Sequence, residues 1–471
     1  MEALEYDWAQ LSRVHFGGAE LGDKRGSERL VKTAELILKR PGGSLPEKLP
    51  GWADLMGLYR LTRAPEVTHA AVIAPHLRHT LERMRQTEGV VLLPHDTTEL
   101  DYTGHGQVAA QLSQIGNGGG RGYLCHNTLA VTPEKKVLGL ASQILHQRRR
   151  VPRKETAKQK REDPGRESLL WQRGCEAVGA APEGRMWVDV CDRGSDSFEF
   201  LQYEKSHGRR YVIRAAKNRK LHGRSGPDGR PLTLYAFARG LPSLGRQEVE
   251  VGASAKKGSK ARKATVRIAA GPLSLAAPKQ PRGNVTEKSL DVWVVYAAEV
   301  DPPAGVAPLE WVLLTNVPAE SLRQAAERAQ WYSCRPVVED YHRAMKSGMG
   351  IELPQFESAD RLEPVIALLS VSAAVLLQLR HLARDPQAPH TPATELVPTL
   401  WAVLVASQAY GEPDKQLSVR EFFIGVAKMG GHLARKHDGP PGWITLWRGW
   451  RELHVMVQGT AAVLAAKTKC V

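Results

Sequence analysis

The pattern of apolar and polar positions divides the chain into stretches of helical period and short apolar runs. Residues 1 to about 75 read as short helices. In the segment Leu21 to Lys32, the basic residues Arg25, Arg29 and Lys32 fall at i, i+4 and i+7 and share one helical face. The stretch Gly57 to Arg63 adds a basic turn that carries Arg60 and Arg63 beside an aromatic ring. From about residue 89 the character changes: Gly89-Val-Val-Leu-Leu-Pro94 predicts a buried strand that delivers Asp96 at its end. Leu124 to Leu145 holds two β-rich stretches separated by the turn Pro133 to Lys136, an antiparallel meander. Met186-Trp-Val-Asp-Val-Cys191 predicts a second apolar strand, ending at Asp192, with Asp196 and Ser197 as N-cap candidates for the helix that follows. Arg210 to Arg214 predicts a third strand, and residues 230 to 318 are mostly β-patterned. Helix dominates afterwards. Val365 to Leu377 reads as a buried helix, short of the roughly 18 apolar residues of a membrane span. A Pro-rich break at 385 to 398 precedes a last helical segment, where Trp443, Trp447 and Trp450 form a packing stripe at i, i+4 and i+7.

This order predicts an α/β protein in three parts: a helical unit 1–75, an α/β domain 76–384 with a β insertion at about 230–318, and a helical unit 385–471. The length of 471 residues exceeds one compact core and suits such a division. Composition adds little, with 42% hydrophobic and 24% charged residues. Charge adds more. A formal +15 and a pI near 9.6 suit a polyanionic partner, nucleic acid being the commonest, although ribosome-associated and membrane-surface proteins share such values. The basic stretches Arg148 to Asp163 and Lys256 to Lys263 are solvated loops on one reading and phosphate-contacting loops on another. Cys125, Cys175, Cys191, Cys334 and Cys470 are scattered, which argues against a zinc ribbon or disulfide framework and for a reducing, cytoplasmic setting. The acidic, mixed N-terminus is unlike a signal peptide, and no segment suggests a membrane partner.

A strand, a meander, a strand ending in Asp, a helix and a late helical Glu is the order of a ribonuclease-H-like nuclease core. In-line attack on a phosphodiester needs an activated water or 3′-hydroxyl and a stabilised leaving oxygen. Two divalent ions about 4 Å apart supply both, held by clustered carboxylates. Asp96, Asp192 and Glu339 are the candidate set, and oxygen ligands favour Mg²⁺ with Mn²⁺ as a substitute, two ions per site. Asp189 is the competing acid, but strand alternation turns it inside its own strand. Tyr332, Arg335, Glu339 and Lys346 lie at i, i+3, i+7 and i+14, within roughly 60° on a helix, so one face would present a carboxylate for metal and three groups for phosphates. An exposed helix laced with salt bridges has the same spacing. Pro336 belongs in a first helical turn, which places Tyr332 and Arg335 before the helix and leaves Glu339 and Lys346 on a shared face.

The pattern Y-x2-R-x3-E-x6-K, preceded by D-T-T at Asp96 and V-C-D-R at Asp192, resembles the signature of the insertion-sequence-four family of bacterial DDE transposases. The likeness runs from L-G-D-K-R near the N-terminus, through Y-R-L-T-R, R-Y-V-I-R and P-L-E-W-V-L-L-T, to the Trp-rich C-terminal residues. It implies Asp96, Asp192 and Glu339 as the catalytic and metal-binding triad. It implies Trp311 as the receiver of a flipped base, Arg214 as a DNA contact near the active site, and Arg25, Arg29, Arg60 and Arg63 as readers of the transposon end. It further implies a cut-and-paste reaction through a DNA hairpin, within a homodimer on double-stranded DNA in the bacterial cytoplasm, associated with the nucleoid when DNA-bound. Ala216 and Thr103 replace basic residues found in relatives. The Gly116 to Gly122 loop reads as a hairpin loop or a phosphate cradle, with Arg121 and His126 expected to face DNA. Two other readings use the same residues: a non-catalytic DNA-binding derivative or inhibitor of transposition, and a metal-dependent repair nuclease.

Overall fold

A computed structural model of the chain describes residues 8–149, 154–251, 262–280, 283, 285–382, 387–435, 438 and 441–469. Most of the basic turn 256–263 and part of the Pro-rich break lie outside those residues. Among the described residues one mixed sheet of twelve strands forms the centre. In chain order these are β1 (Val90–Asp101), β2 (Ser113–Gln114), β3 (Arg121–Val131), β4 (Val137–His146), β5 (Met186–Cys191) and β6 (Arg210–Arg214), followed by β7 (Lys220–Ser225), β8 (Pro231–Thr233), β9 (Gly245–Val251), β10 (Arg262–Ala276), β11 (Ser289–Glu299) and β12 (Glu310–Thr315).

Buried-strand composition explains the central part. Val91, Leu92, Leu93, Val188 and Val190 are buried to within 1% and need cover on both faces. Strand β1 runs antiparallel to β3 and parallel to β5, β3 pairs antiparallel with β4, and β5 is parallel to β6. Helices His69–Gln86 and Ala359–Leu382 pack together over β4, and Leu170–Val178 packs against β3 and β4. The run Val365 to Leu377 within Ala359–Leu382 is buried, as its composition predicts. No helix among the described residues is long and apolar enough to cross a membrane.

The β-patterned stretch after residue 220 extends this sheet. Strand β12 pairs antiparallel with β6, and β11, β10, β7 and β8 continue outward, with β9 alongside β10. Its own apolar cluster, including Leu273, Leu275, Leu290 and Val294, joins the β5 and β6 residues Cys191 and Ile213.

The N-terminal helices Trp8–Phe16, Lys24–Lys39 and Trp52–Leu61 share a core with the C-terminal helix Trp443–Lys469. Trp450 meets Trp8 edge-on at 6.3 Å and stacks on Phe423 at 6.2 Å. Trp447 and Trp450 are buried, as a packing stripe requires, while the side chain of Trp443 lies outside the described residues.

Candidate active site

Strand geometry sets the first two carboxylates. The parallel pairing of β1 with β5 ends at His95 opposite Cys191, and the next residues on the two strands are Asp96 and Asp192. The two acids therefore leave neighbouring strands at the same level. The sequence reading placed Asp96 at a strand end; β1 instead runs on to Asp101, pairing with β3, and Asp96 lies opposite Asn127. Asp96 accepts a hydrogen bond from the Thr97 backbone N–H at 2.9 Å, and Asp192 caps a short 3-10 turn through the Gly194 N–H at 2.9 Å.

The third acid arrives on helix Pro336–Arg343, with Pro336 in the first turn. Tyr332 belongs to the preceding helix Leu322–Ser333, and Arg335 sits at the junction. The junction brings the guanidinium of Arg335 among all three acids. Its Nη2 lies 2.9 Å from Asp96 Oδ2 and 3.7 Å from Asp192 Oδ2, while Nη1 pairs with Glu339. Side-chain exposure rises across the set, from 17% at Asp96 to 31% at Asp192 and 48% at Glu339. Burial, helped by the charges of Asp192 and Glu339 and opposed by Arg335, pushes the Asp96 carboxyl up to about 6. The oxygens of the three acids do not all lie within 4.8 Å of one another, so the cluster spans more than a single close-packed ion would fill.

The other expected residues divide. Arg214, on β6, and Arg335 both face the Tyr332 phenol. Trp311 is only 9% exposed and meets Tyr332 edge-on at 5.3 Å, so little of its indole is open to a flipped base. Lys346 lies in a π-helical turn, Ala344–Gly348, and its amine pairs with Glu352 at 3.0 Å. The π turn breaks the regular period that would have set Lys346 beside Glu339. Arg25, Arg60, Arg63 and Arg121 are exposed, whereas Arg29 is half-buried 3.5 Å from Asp54, which Lys32 also holds at 2.6 Å.

One expectation needs correction. His126 cannot face DNA: it is fully buried, with Nδ1 2.8 Å from Thr97 Oγ1, and burial holds its imidazole neutral. The alternation of β3 points it under β1, behind the acids rather than outward. The basic stretch from Arg148 is also less free than its composition suggests, since Arg148 pairs with Glu167 at 2.5 Å and Arg149 with Glu155 and Asp163.

Behind the acids lies a buried network that sequence reasoning missed. His95 Nε2 is 2.9 Å from Asp189 Oδ1, and His95 Nδ1 is 3.0 Å from Thr128 Oγ1. Asp189 also accepts from Arg209 at 2.8 and 2.9 Å. His95, Cys175 and Asp189 could in principle converge on an ion, but Arg209 already neutralises Asp189, so the group reads as an ion-paired core. Asp189 is thus turned into its own strand layer, as alternation predicts. On the other side, His342 packs 3.7 Å from Asp96 and 3.1 Å from Asn127 Nδ2. Only the adjacency of His95 to Asp96 was visible in the sequence, and an isolated histidine carries no signal of its partners.

The N-terminal helices provide the decisive comparison. Residues 7–67 match the family described as transposase DNA-binding. The chain carries a transposase-type DNA-binding unit. Arg25, Arg29, Arg60 and Arg63 all lie within that unit, which supports DNA as a partner of this protein.

Proposed function

We propose that this chain is an active DDE transposase of the insertion-sequence-four type. It binds the terminal inverted repeats of its element, excises the element by metal-dependent hydrolysis and hairpin formation, and joins the ends to target DNA. The observation that carries this reading is the convergence of Asp96, Asp192 and Glu339 around Arg335, in a chain whose N-terminal unit is of the transposase DNA-binding kind. The strand order β4-β3-β1-β5-β6, three antiparallel strands followed by two parallel to β1, supports a ribonuclease-H-like core, with β7 to β12 as its insertion.

The donor set fits hard divalent cations. All three side chains offer carboxylate oxygens, and they gather about a positive group. Asp96, Asp192 and Glu339 would hold two Mg²⁺ ions, or Mn²⁺ in their place. Bound there, such ions activate a water or 3′-hydroxyl and stabilise the leaving oxygen. The protein's own part is positional. Thr97 and Gly194 backbone N–H groups orient the two aspartates, and the β1–β5 pairing fixes their level. Arg335 offsets part of the cluster's charge and would meet a phosphate of the scissile strand. Arg214 and Lys346 are the further cations that would meet DNA phosphates, with the Tyr332 phenol buried beside Arg214 and Arg335. The active form is a homodimer on two DNA ends, in the bacterial cytoplasm, with the C-terminal helices in the interface.

Purified protein with Mg²⁺ and a duplex bearing the element's inverted repeats should yield 3′-end nicks and then hairpins. Protein that binds those ends at every ion concentration without cutting them is a non-catalytic DNA-binding derivative. Nicking of any duplex regardless of the repeats would point to a repair nuclease.

A further inference from the structure

A second cleft lies where the N-terminal helices meet the loop after β1. It measures about 430 Å³ and opens between helix Trp52–Leu61, that loop, and residues 355–361. Its volume is at the lower end for small-ligand sites. The walls are aromatic: Tyr59, half-buried, meets Phe356 edge-on at 5.5 Å. The rim is cationic. Arg63 is exposed and forms no ion pair among the described residues, and Arg361 lies 5.7 Å over the Phe356 ring. A single carboxylate, Glu357, opposes them, 3.2 Å from Arg361 and itself 80% exposed. Glycines flank the floor. A Cβ added at Gly104 or Gly106 would meet nothing within 4 Å, and Gly106 has a φ of +51°. Two polar atoms there are buried without a hydrogen-bond partner, His105 Nδ1 and Arg361 Nε. Trp52, 74% exposed, lies one turn before Met56 on the same helix.

Aromatic walls, a cationic rim in which Arg63 has no ion-pair partner among the described residues, and a glycine-flanked floor suit a group with a flat face, a nearby anion and a bulky linker. We propose that this cleft receives one unstacked nucleotide of the bound DNA, its base against Tyr59 and its phosphate on Arg63 and Arg361. The inference rests on the DNA-binding reading of the N-terminal unit. It is separate from the carboxylate cluster and from Trp311. Stacking of single bases on aromatic side chains is tolerant of sequence, and supports affinity gains near tenfold per base.

The test compares a fluorescein-labelled duplex carrying one unpaired adenine with the fully paired duplex, by anisotropy at fixed salt on the full chain. The wild type should bind the bulged duplex about tenfold tighter. Tyr59→Ala should lose that preference while paired-duplex affinity stays within about twofold, and Tyr59→Phe should keep it. Equal binding of the two duplexes by the wild type, or an intact preference in Tyr59→Ala, overturns the inference and leaves DNA binding untouched. Failure to bind either duplex overturns the DNA reading as well. Should Tyr59→Ala not fold, 5-iodouracil placed at the unpaired position of the duplex and irradiated with wild-type protein gives an independent result. Crosslinking to the Tyr59 peptide is expected, and crosslinking confined to other peptides overturns the site.

Discussion

Arg335 carries one positive charge into a group of three negative ones, and the balance decides how the cluster behaves without ions. Replacing Arg335 with Ala leaves the acids facing one another, and should destabilise the ion-free protein by about 1–3 kcal/mol. Added Mn²⁺ should restore most of the lost melting temperature. An Arg335→Ala protein whose melting is indifferent to Mn²⁺ would show that the acids do not act as a cation site. The buried network behind them makes a second residue-level prediction. Burial works to raise the Asp189 carboxyl, but Arg209 and the His95 hydrogen bond outweigh it and hold Asp189 below the usual range. Burial and the Asp189 charge push Glu204 well above its ordinary 4.5. Glu204 therefore keeps its proton to higher pH in the fold than in the unfolded chain, so its contribution makes stability fall as pH rises above its ordinary range. Glu204→Gln should change stability by less than about 1 kcal/mol and flatten that slope. Asp189→Asn should cost about 3–5 kcal/mol, because Arg209 is left buried without its partner. Thermal melts between pH 5 and 8, roughly the window of greatest stability for most proteins, distinguish the two. A steep Glu204→Gln slope would show that Glu204 is charged in the fold.

At the scale of elements, local signals predicted strands and caps well and irregular turns poorly. The apolar runs at Val91 and Val188 announced β1 and β5, and Ser197 caps its helix by accepting from the Phe200 N–H at 3.1 Å. Asp196, the other cap candidate, is instead buried against Arg219 and the backbone N–H groups of Ala216 and Lys217. Those partners lie about 20 residues away, beyond any local pattern. The apolar run stops at Pro94, so the strand is expected to finish at Asp96, yet antiparallel pairing with β3 carries it onward to Asp101. The π turn at Ala344–Gly348 has no sequence marker either, and Lys346 within it pairs with Glu352. Pro336, by contrast, was legible as a helix start. It cannot donate a bond back toward Tyr332, and so holds Arg335 at a corner between two helices. Pro336→Ala should leave stability within about 1 kcal/mol but reduce cleavage several-fold, as the corner relaxes toward a continuous helix. Full cleavage in Pro336→Ala, measured as end nicking, would mean the corner does not position Arg335.

For the whole molecule, a charge of +15 and a transposase-type DNA-binding unit at one end place the phosphate backbone at the centre of its binding energy. The logarithm of the affinity for an end-bearing duplex should fall linearly with the logarithm of salt concentration. Arg25→Ala or Arg63→Ala should each lower that slope by about one. A flat response in the wild type would remove the basic faces from the interface. Sequence carried the succession of helical and strand-forming stretches because their periods differ. It could not carry the burial of His126 or the covering of Trp311, which depend on which sheet face each strand presents. The central claim is that Asp96, Asp192 and Glu339 act as one metal-dependent cutting site. Its most direct test is strand cleavage of the end-bearing duplex in Mg²⁺ by wild type and by Asp96→Ala, Asp192→Ala and Glu339→Ala, with end binding measured in parallel. Each replacement should abolish cleavage by the protein and leave end binding within about threefold, since none of the three holds the DNA alone. Cleavage that survives any one of the three contradicts the account.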